Sequence, residues 1–466
     1  MKPGFHPVER TCLKAIRAAV WLMCSGLALS NRAGAEGAKP YALETRLAVL
    51  AGLNMPEREN GAMPALLSQT GAFKDTARLT PADGLIPYDI IVPFWSDGAV
   101  KTRWMALPNE AGMPPGKIGF QSAGEWSYPK GTVFVKDFQL AVDETRPELK
   151  RRLETRLLVC DADGGVYGVT YKWRADNSDA DLLATNLSEA IVIKTTTGTR
   201  TQTWYYPSRQ DCQVCHTARA GLVLGVKTRQ MNRDFEYPSG RPDNELRAWN
   251  HIGLFEPKLE EGDIPKYASL ARGDDAGRSL EERARSYLDA NCAYCHRPGG
   301  TVANFDARYD TPLKQQNLIA GQILLDEGID GARVIAPNDI WRSIIYMRAS
   351  SLDSIKMPQL ARNAVDEQGV RLLRQWIQSI PGPPVLPPPE ISPPQGRYGQ
   401  PVDVTLKEAE PGASIRYTLD GSLPTTADLL YEKPIRLSES AILRAKAFKP
   451  GFTKSITVQQ VFIIGD

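Results

Sequence analysis

The chain has 466 residues, 42% of them apolar and 24% charged, with a formal net charge of +2. Such a composition excludes a disordered or low-complexity chain and leaves no basic footprint for nucleic acid; the length suggests about three domains.

In chain order, residues 1–35 read as a targeting segment. Lys2, Arg10, Lys14 and Arg17 are positive, and the apolar run 18–29, "AAVWLMCSGLAL", is too short to span a bilayer. Ala33-Gly34-Ala35 is a small-x-small cleavage site. The expectation is a signal peptide cut after Ala35 and a periplasmic or secreted protein. Bulky Met23 ahead of Cys24 argues against lipid modification. No later run approaches ~18 apolar residues, so no membrane span is expected after cleavage. Cleavage would remove Cys12 and Cys24, leaving Cys160 and two tight cysteine pairs.

Residues 36–207 are expected to form a β-rich, all-β sandwich-like domain. Between Ile86 and Arg209 the runs "GTVFVKDFQLAV", "LETRLLVCDADGGVYGVTYKWRA" and "EAIVIKTTTGTRTQTWYY" are β-branched and aromatic, broken by Asp-Gly, Gly-Gly and Asn-Ser turns. "WSDGAVKTRW" reads as a strand with a charged, solvated face, and Cys160 as a small buried residue.

From 208 to 380 the pattern turns helical, and a mainly α region is expected. "SLEERARSYLDANCAYCH" has Leu280, Ala284, Tyr287 and Leu288 at helical spacing, delivering Cys292, Cys295 and His296 at a helix end. "PSRQDCQVCH" delivers Cys212, Cys215 and His216 more abruptly. Both are C-x-x-C-H, the haem c attachment signature. Two thioether bonds need sulfurs about one helical turn apart, and the following histidine then lies beneath the iron as proximal ligand. A shared zinc site is disfavoured because 76 residues separate Cys215 from Cys292. A thioredoxin-like redox pair would not need two copies. Two covalently bound haem c groups are therefore expected, haem 1 within about 208–260 and haem 2 within about 275–380.

The sixth iron positions call for further ligands. Met357, on the Met-Pro loop of "SIKMPQLARNAVDEQGVRLLRQWI", is the expected distal ligand of haem 2. It precedes an amphipathic helix bearing Val370, Leu372, Leu373, Trp376 and Ile377. Met347 reads instead as a core residue. For haem 1 the candidates are His251, in "LRAWNHIGLF", and Met231, in "TRQMNRDF", with an open position or remote Met105 as the other choice. Residues 381–395, "PGPPVLPPPEISPPQ", form a proline-rich spacer. Residues 396–466 alternate like a small Ig-like β-sandwich, with Asp420-Gly421 as a turn.

Two stretches carry a resemblance. From Tyr88 to Ile380 the ordered series "WSDGAVKTRW", "YPKGTVFVKDF", "ETRLLV", "YKWRADNSDADLL", "YPSRQDCQVCH", "YLDANCAYCHRPGG" and "KMPQLARNAVD" resembles exported bacterial di-haem c-type cytochromes. The resemblance implies covalent haem at Cys212/Cys215 and Cys292/Cys295, with His216 and His296 as proximal ligands. "ASIRYTLDGSLPT" and "LRAKAFKPG" resemble the accessory C-terminal β-sandwich of chitobiase and β-hexosaminidase, which implies cell-wall or polysaccharide contact but no glycosidase activity. The expected function is single-electron transfer between redox partner proteins, a dehydrogenase or quinone-linked donor and a downstream acceptor. The alternative is a di-haem peroxidase or oxidase with an open position at haem 1.

Overall fold

Alternation of apolar and polar residues over 133–173 dictates the central element of the protein. In the computed structural model, which describes residues 39–301 and 304–465, this stretch lies at the heart of a six-stranded antiparallel sheet. A short hairpin, β1 (Phe73–Asp75) and β2 (Thr80–Pro81), precedes it. The sheet itself contains β3 (Leu85–Tyr88), β4 (Val100–Ala106), β6 (Val133–Ala141), β7 (Lys150–Cys160), β8 (Val166–Trp173) and β9 (Ala180–Leu182), paired in that order. β5 (Ile118–Gly119) lies in the connection between β4 and β6. A separate hairpin, β10 (Leu187–Thr195) with β11 (Gly198–Tyr206), follows the sheet.

The two faces of the sheet differ. One is mainly apolar: Trp104, Val133, Val135, Leu157, Val159, Val169, Tyr171 and Trp173 bury themselves with Leu67 and Phe73, and the buried Asp137 on it is satisfied by Thr155 and Trp173. The other is apolar only at its ends. Met105 and Phe134 join a cluster with Met231, Leu246 and Trp249, while Phe138, Leu140 and Leu153 pack under Ile191, Ile193, Trp204 and Tyr206 of the hairpin. Between those ends the face is charged. The domain is thus one sheet with a hairpin against it, rather than two stacked sheets.

The sheet leads into α1 (Arg209–Cys215), α2 (Thr228–Met231), the paired strands β12 (Asp234–Glu236) and β13 (Pro242–Asn244), α3 (Glu245–His251), and β14 (Phe255–Glu256), which pairs in parallel with β5. Farther on come α4 (Leu280–Asn291), α5 (Ile344–Ser350) and α6 (Glu367–Ser379). This corrects the expected mainly α region. The chain is mostly β, 30% strand against 16% helix, and from 208 to 380 it has short helices joined by long irregular segments. The physical reason is visible in 297–343, where Gly, Pro, Asn and Asp punctuate the sequence and no 3.6-residue repeat survives. Buried carboxylates replace helical hydrogen bonding there: Asp339 accepts from the backbone N–H groups of Trp341 and Arg342, both at 3.0 Å.

The helical reading does hold locally. Val370, Leu372, Leu373, Trp376 and Ile377 of α6 are all buried against α4. The two helices touch at Gly369, where a Cβ would sit 2.3 Å from the Tyr287 ring.

The last segment is a small β-sandwich. Strands β15 (Glu390–Ser392), β17 (Val402–Lys407) and β20 (Ile435–Leu437) form one sheet. Strands β16 (Gly396–Tyr398), β18 (Ser414–Thr418), β19 (Leu429–Leu430), β21 (Ala441–Phe448) and β22 (Val458–Ile464) form the other, with Val404, Leu406, Ile415, Leu443 and Phe462 buried in the sandwich core. Its proline-rich lead-in is laid down on the structure: Leu386 is fully buried and its N–H donates to Thr453 O at 3.0 Å. Arg342 donates to the carbonyls of Lys454 and Ser455, both at 3.1 Å, and Lys446 pairs with Asp330 at 2.8 Å. Residues Tyr41–Asp466 form one compact unit. The expected signal segment, with its cleavage point at Ala35, lies outside the described residues. Among the described residues, no helix is long and apolar enough to cross a membrane.

Candidate haem attachment sites

Each C-x-x-C-H motif is delivered by a helix that the sequence starts in the same way. At α1, Ser208 Oγ accepts from Asp211 N at 3.2 Å, and Asp211 Oδ2 accepts from Ser208 N at 2.8 Å. At α4, Ser279 and Glu282 make the same reciprocal pair at 3.2 and 3.0 Å. These capping boxes fix where each helix begins, and so where it runs out. In α1 both cysteines lie inside the helix and His216 caps it; α4 ends at Asn291, so Cys292 is the cap and the motif follows.

In both motifs the histidine N–H donates back to the carbonyl of the first cysteine, at 3.0 Å for His216 and 2.8 Å for His296. The first sulfur, the second sulfur and the imidazole are thereby held on one turn. All four cysteines are free thiols, and burial raises each of them, Cys215 and Cys292 to about 12. Cys160 is also free and buried, as expected for a packing residue. Among the described residues, no cluster of three or more His, Cys, Asp and Glu side chains is arranged for a metal ion. A porphyrin brings its own iron and needs from the chain two sulfurs and an imidazole.

The imidazoles are prepared for such a role in different ways. His216 Nδ1 lies 2.7 Å from Leu222 O. A carbonyl can only accept, so Nδ1 carries the proton and Nε2 keeps its lone pair for a metal. Burial pushes the His216 pKa down to about 4, keeping the ring neutral. The loop returning to Leu222 turns through Gly221 at φ 85° and Leu222 itself at φ 65°. His296 is likewise lowered to about 4, by burial and then by the charge of Arg348. Its ring stacks on Phe305, 4.5 Å between centroids at 15°, and its buried Nδ1 has no hydrogen-bond partner among the described residues. Gly300 makes the turn beside it, since a Cβ there would lie 2.0 Å from Cys295 O.

The fold also brings the two motifs together. The Cys215 and Cys295 thiols are within electrostatic reach of each other, and Tyr294 is within reach of Cys215, Cys292 and Cys295. Arg297, directly after His296, donates to Arg219 O at 3.0 Å and to Glu125 at 2.8 Å. Glu125 also faces Lys227 at 3.4 Å and Arg229 at 3.9 Å. Those two cations grip Asp289 of α4 at 3.1 and 2.9 Å. Burial alone would raise Asp289, but Lys227 and Arg229 outweigh it and hold the carboxylate well below its usual range. One buried ionic knot therefore joins the flanks of both sites.

The candidate distal ligands fall in different environments. Met357 is half-buried on its loop, and its N–H donates at 3.0 Å to the carbonyl of Arg348, the residue whose charge acts on His296. The end of that loop is pinned to the sheet domain: Asp97, buried, accepts from Asn363 N and Ala364 N, both at 2.9 Å. Met347 packs with Ile329, Ile344 and Ile456, as expected for a core residue. His251, at the end of α3, is exposed and stacks on Tyr41 at 3.5 Å and 8°. Met231 and Met105 are fully buried in the apolar cluster around Trp249.

Sequence reading missed the cations near the first site. On β4, "VKTRW" is half recessed rather than solvated: Arg103 is buried and ion-paired with Asp89, and Lys101 donates to Phe94 O. Across the ladder Arg103 faces Lys136, which faces Arg156. Burial, then Arg103 and Arg156, lowers Lys136 to about 7. Only the side-chain register could have revealed this row, and alternation alone does not supply register. α1 lies over β8 beside it, at Gly168, where a Cβ would meet Cys212 Sγ at 2.6 Å.

Comparison with known proteins bears on the C-terminal segment. No curated protein matches the chain. Residues 393–459 match the chitobiase/beta-hexosaminidase C-terminal domain, in agreement with the sandwich seen there.

Proposed function

We propose that the protein is an exported di-haem c-type electron carrier, with one haem on Cys212, Cys215 and His216 and the other on Cys292, Cys295 and His296. The carrying observation is the pair of helix-positioned C-x-x-C-H turns, each holding two free thiols beside a neutral imidazole. Bound haem supplies a one-electron iron couple, whose potential follows the axial ligand, burial and neighbouring charge. The chain's own part is to hold Nε2 of His216 unprotonated through the bond to Leu222, to hold the His296 ring against Phe305, and to fix the distance between the sites through Asp289 and Glu125. Met357 is the distal ligand proposed for the second haem. The chitobiase-type segment is assigned a docking role toward polysaccharide or cell wall, a reading supported by the match of residues 393–459 to the chitobiase/beta-hexosaminidase C-terminal domain.

A second reading, a di-haem peroxidase or oxidase, is favoured by one observation. His251 is engaged with Tyr41, and Met231 and Met105 with the apolar core, which leaves the distal side of the first site to a small ligand. Reduced-minus-oxidised spectra of the exported protein, with mass spectrometry, test the carrier reading. A c-type α-band and the added mass of two haems are expected; no α-band overturns both readings. Low-temperature EPR then separates them, because a persistent high-spin signal favours the enzyme and two low-spin signals the carrier.

A further inference from the structure

The row Arg103, Lys136 and Arg156 is an arrangement that a sheet does not adopt for stability. Directly opposed side chains on antiparallel strands lie about 5 Å apart, and like charges there repel. Two members of the row are neutralised within the protein, Arg103 by Asp89 and Arg156 by Glu154. Arg156 also lies over the Phe138 ring, 4.4 Å from its centroid. Lys136, in the middle, has no hydrogen-bond or ion-pair partner among the described residues. It is half-buried on this face, within electrostatic reach of both Cys212 and His216. Glu154 is the carboxylate within reach of it, and that one is already held by Arg156, so an anion from outside the chain would stabilise the charged form of Lys136.

We propose that this row is a carboxylate seat, and that the groups it takes are the acid side chains of the porphyrin carried by Cys212 and Cys215. The inference rests on the haem reading given above. It also distinguishes the sites: among the described residues Arg348 is the cation shown acting on His296, and it is already paired with Glu327.

The test uses the full-length, haem-loaded protein and its Lys136→Met and Lys136→Arg variants. Haem content by pyridine haemochrome comes first; wild type without covalent haem would sink the underlying reading itself. With two haems present, spectroelectrochemical titration should show Lys136→Met lowering one of the two midpoint potentials while the other stays fixed. Redox-difference infrared spectra should show a carboxylate band displaced in the same variant. Lys136→Arg should restore both, and it carries the comparison with wild type if the Met variant does not fold, by keeping the same carboxylate band. Unchanged potentials and bands in Lys136→Met would overturn the proposal. So would a wild-type potential that moves with added acetate or phosphate and stops doing so in Lys136→Met, because the seat would then belong to a soluble anion.

Discussion

The two C-x-x-C-H turns begin from the same capping chemistry and arrive at different surroundings. The first lies over a charged sheet face, with its imidazole oriented by a carbonyl bond. The second lies among the apolar residues of α4 and α6, with its imidazole oriented by ring stacking. A hydrogen bond to Nδ1 fixes the tautomer and raises ligand basicity, whereas a stacked ring fixes the plane and leaves Nδ1 unengaged. Two heptapeptides that share only the C-x-x-C-H residues thus present different imidazoles, and the difference resides in what the following loop sets against each ring: Leu222 O at His216 and the Phe305 ring at His296.

That comparison can be broken at its shared support. Asp289→Ala leaves Lys227 and Arg229 buried with only Glu125 and Asp310 to oppose them, and should cost about 3 kcal/mol of stability, read as a lower urea midpoint. Both sites should loosen together. A smaller effect confined to the first site is expected from Gly168→Ala, whose new methyl meets Cys212 Sγ at 2.6 Å. Overpacking of this kind costs about 1–3 kcal/mol. A single-site variant that altered thiol reactivity at Cys292 as well would show the sites to be coupled through the sheet. Ser208→Ala and Ser279→Ala each remove a cap worth about 1 kcal/mol, and protection of α1 or α4 amides from hydrogen exchange should fall in the matching variant only.

The smallest effect is a pH dependence at the start of α4. Arg278, then the Ser279 N–H and hydroxyl, pull Glu282 down to about 2. A depressed carboxylate contributes its full stabilisation above its ordinary pKa, about 4.3, and loses it as pH falls toward 2. The N-terminal turn of α4 should therefore fray between pH 4 and 2 in wild type, and Glu282→Gln should show no such step.

What was legible in the sequence was local. The periodicity of α6, the alternation of β6 to β8 and the C-x-x-C-H spacing all act within a dozen residues, and α6 and the strands appear where their patterns put them. The helical character of 208–380 was overestimated because the helical spacing of the stretches that deliver the two cysteine pairs was extended to the segments between and beyond them. The sandwich expected for 36–207 failed for a different reason, since alternation shows that a strand has two faces and not what covers them. Lys136, Asp97 and Glu125 carried no signal, because each acts through partners more than a hundred residues away or across a register that only folding defines.

Glu125 has one more consequence, in the order of assembly. Its partner Arg297 is 172 positions further along the chain, and contacts that close such long loops form late, after their entropy has been met by local structure. Until that closure α1 and α4, each started by its own capping box, are joined only by intervening chain. Once Glu125 and Asp289 draw Lys227, Arg229 and Arg297 together, the Cys215 and Cys295 thiols come within electrostatic reach of each other. The knot thus makes the pairing of the two turns a late event in folding as well as a fixed spacing.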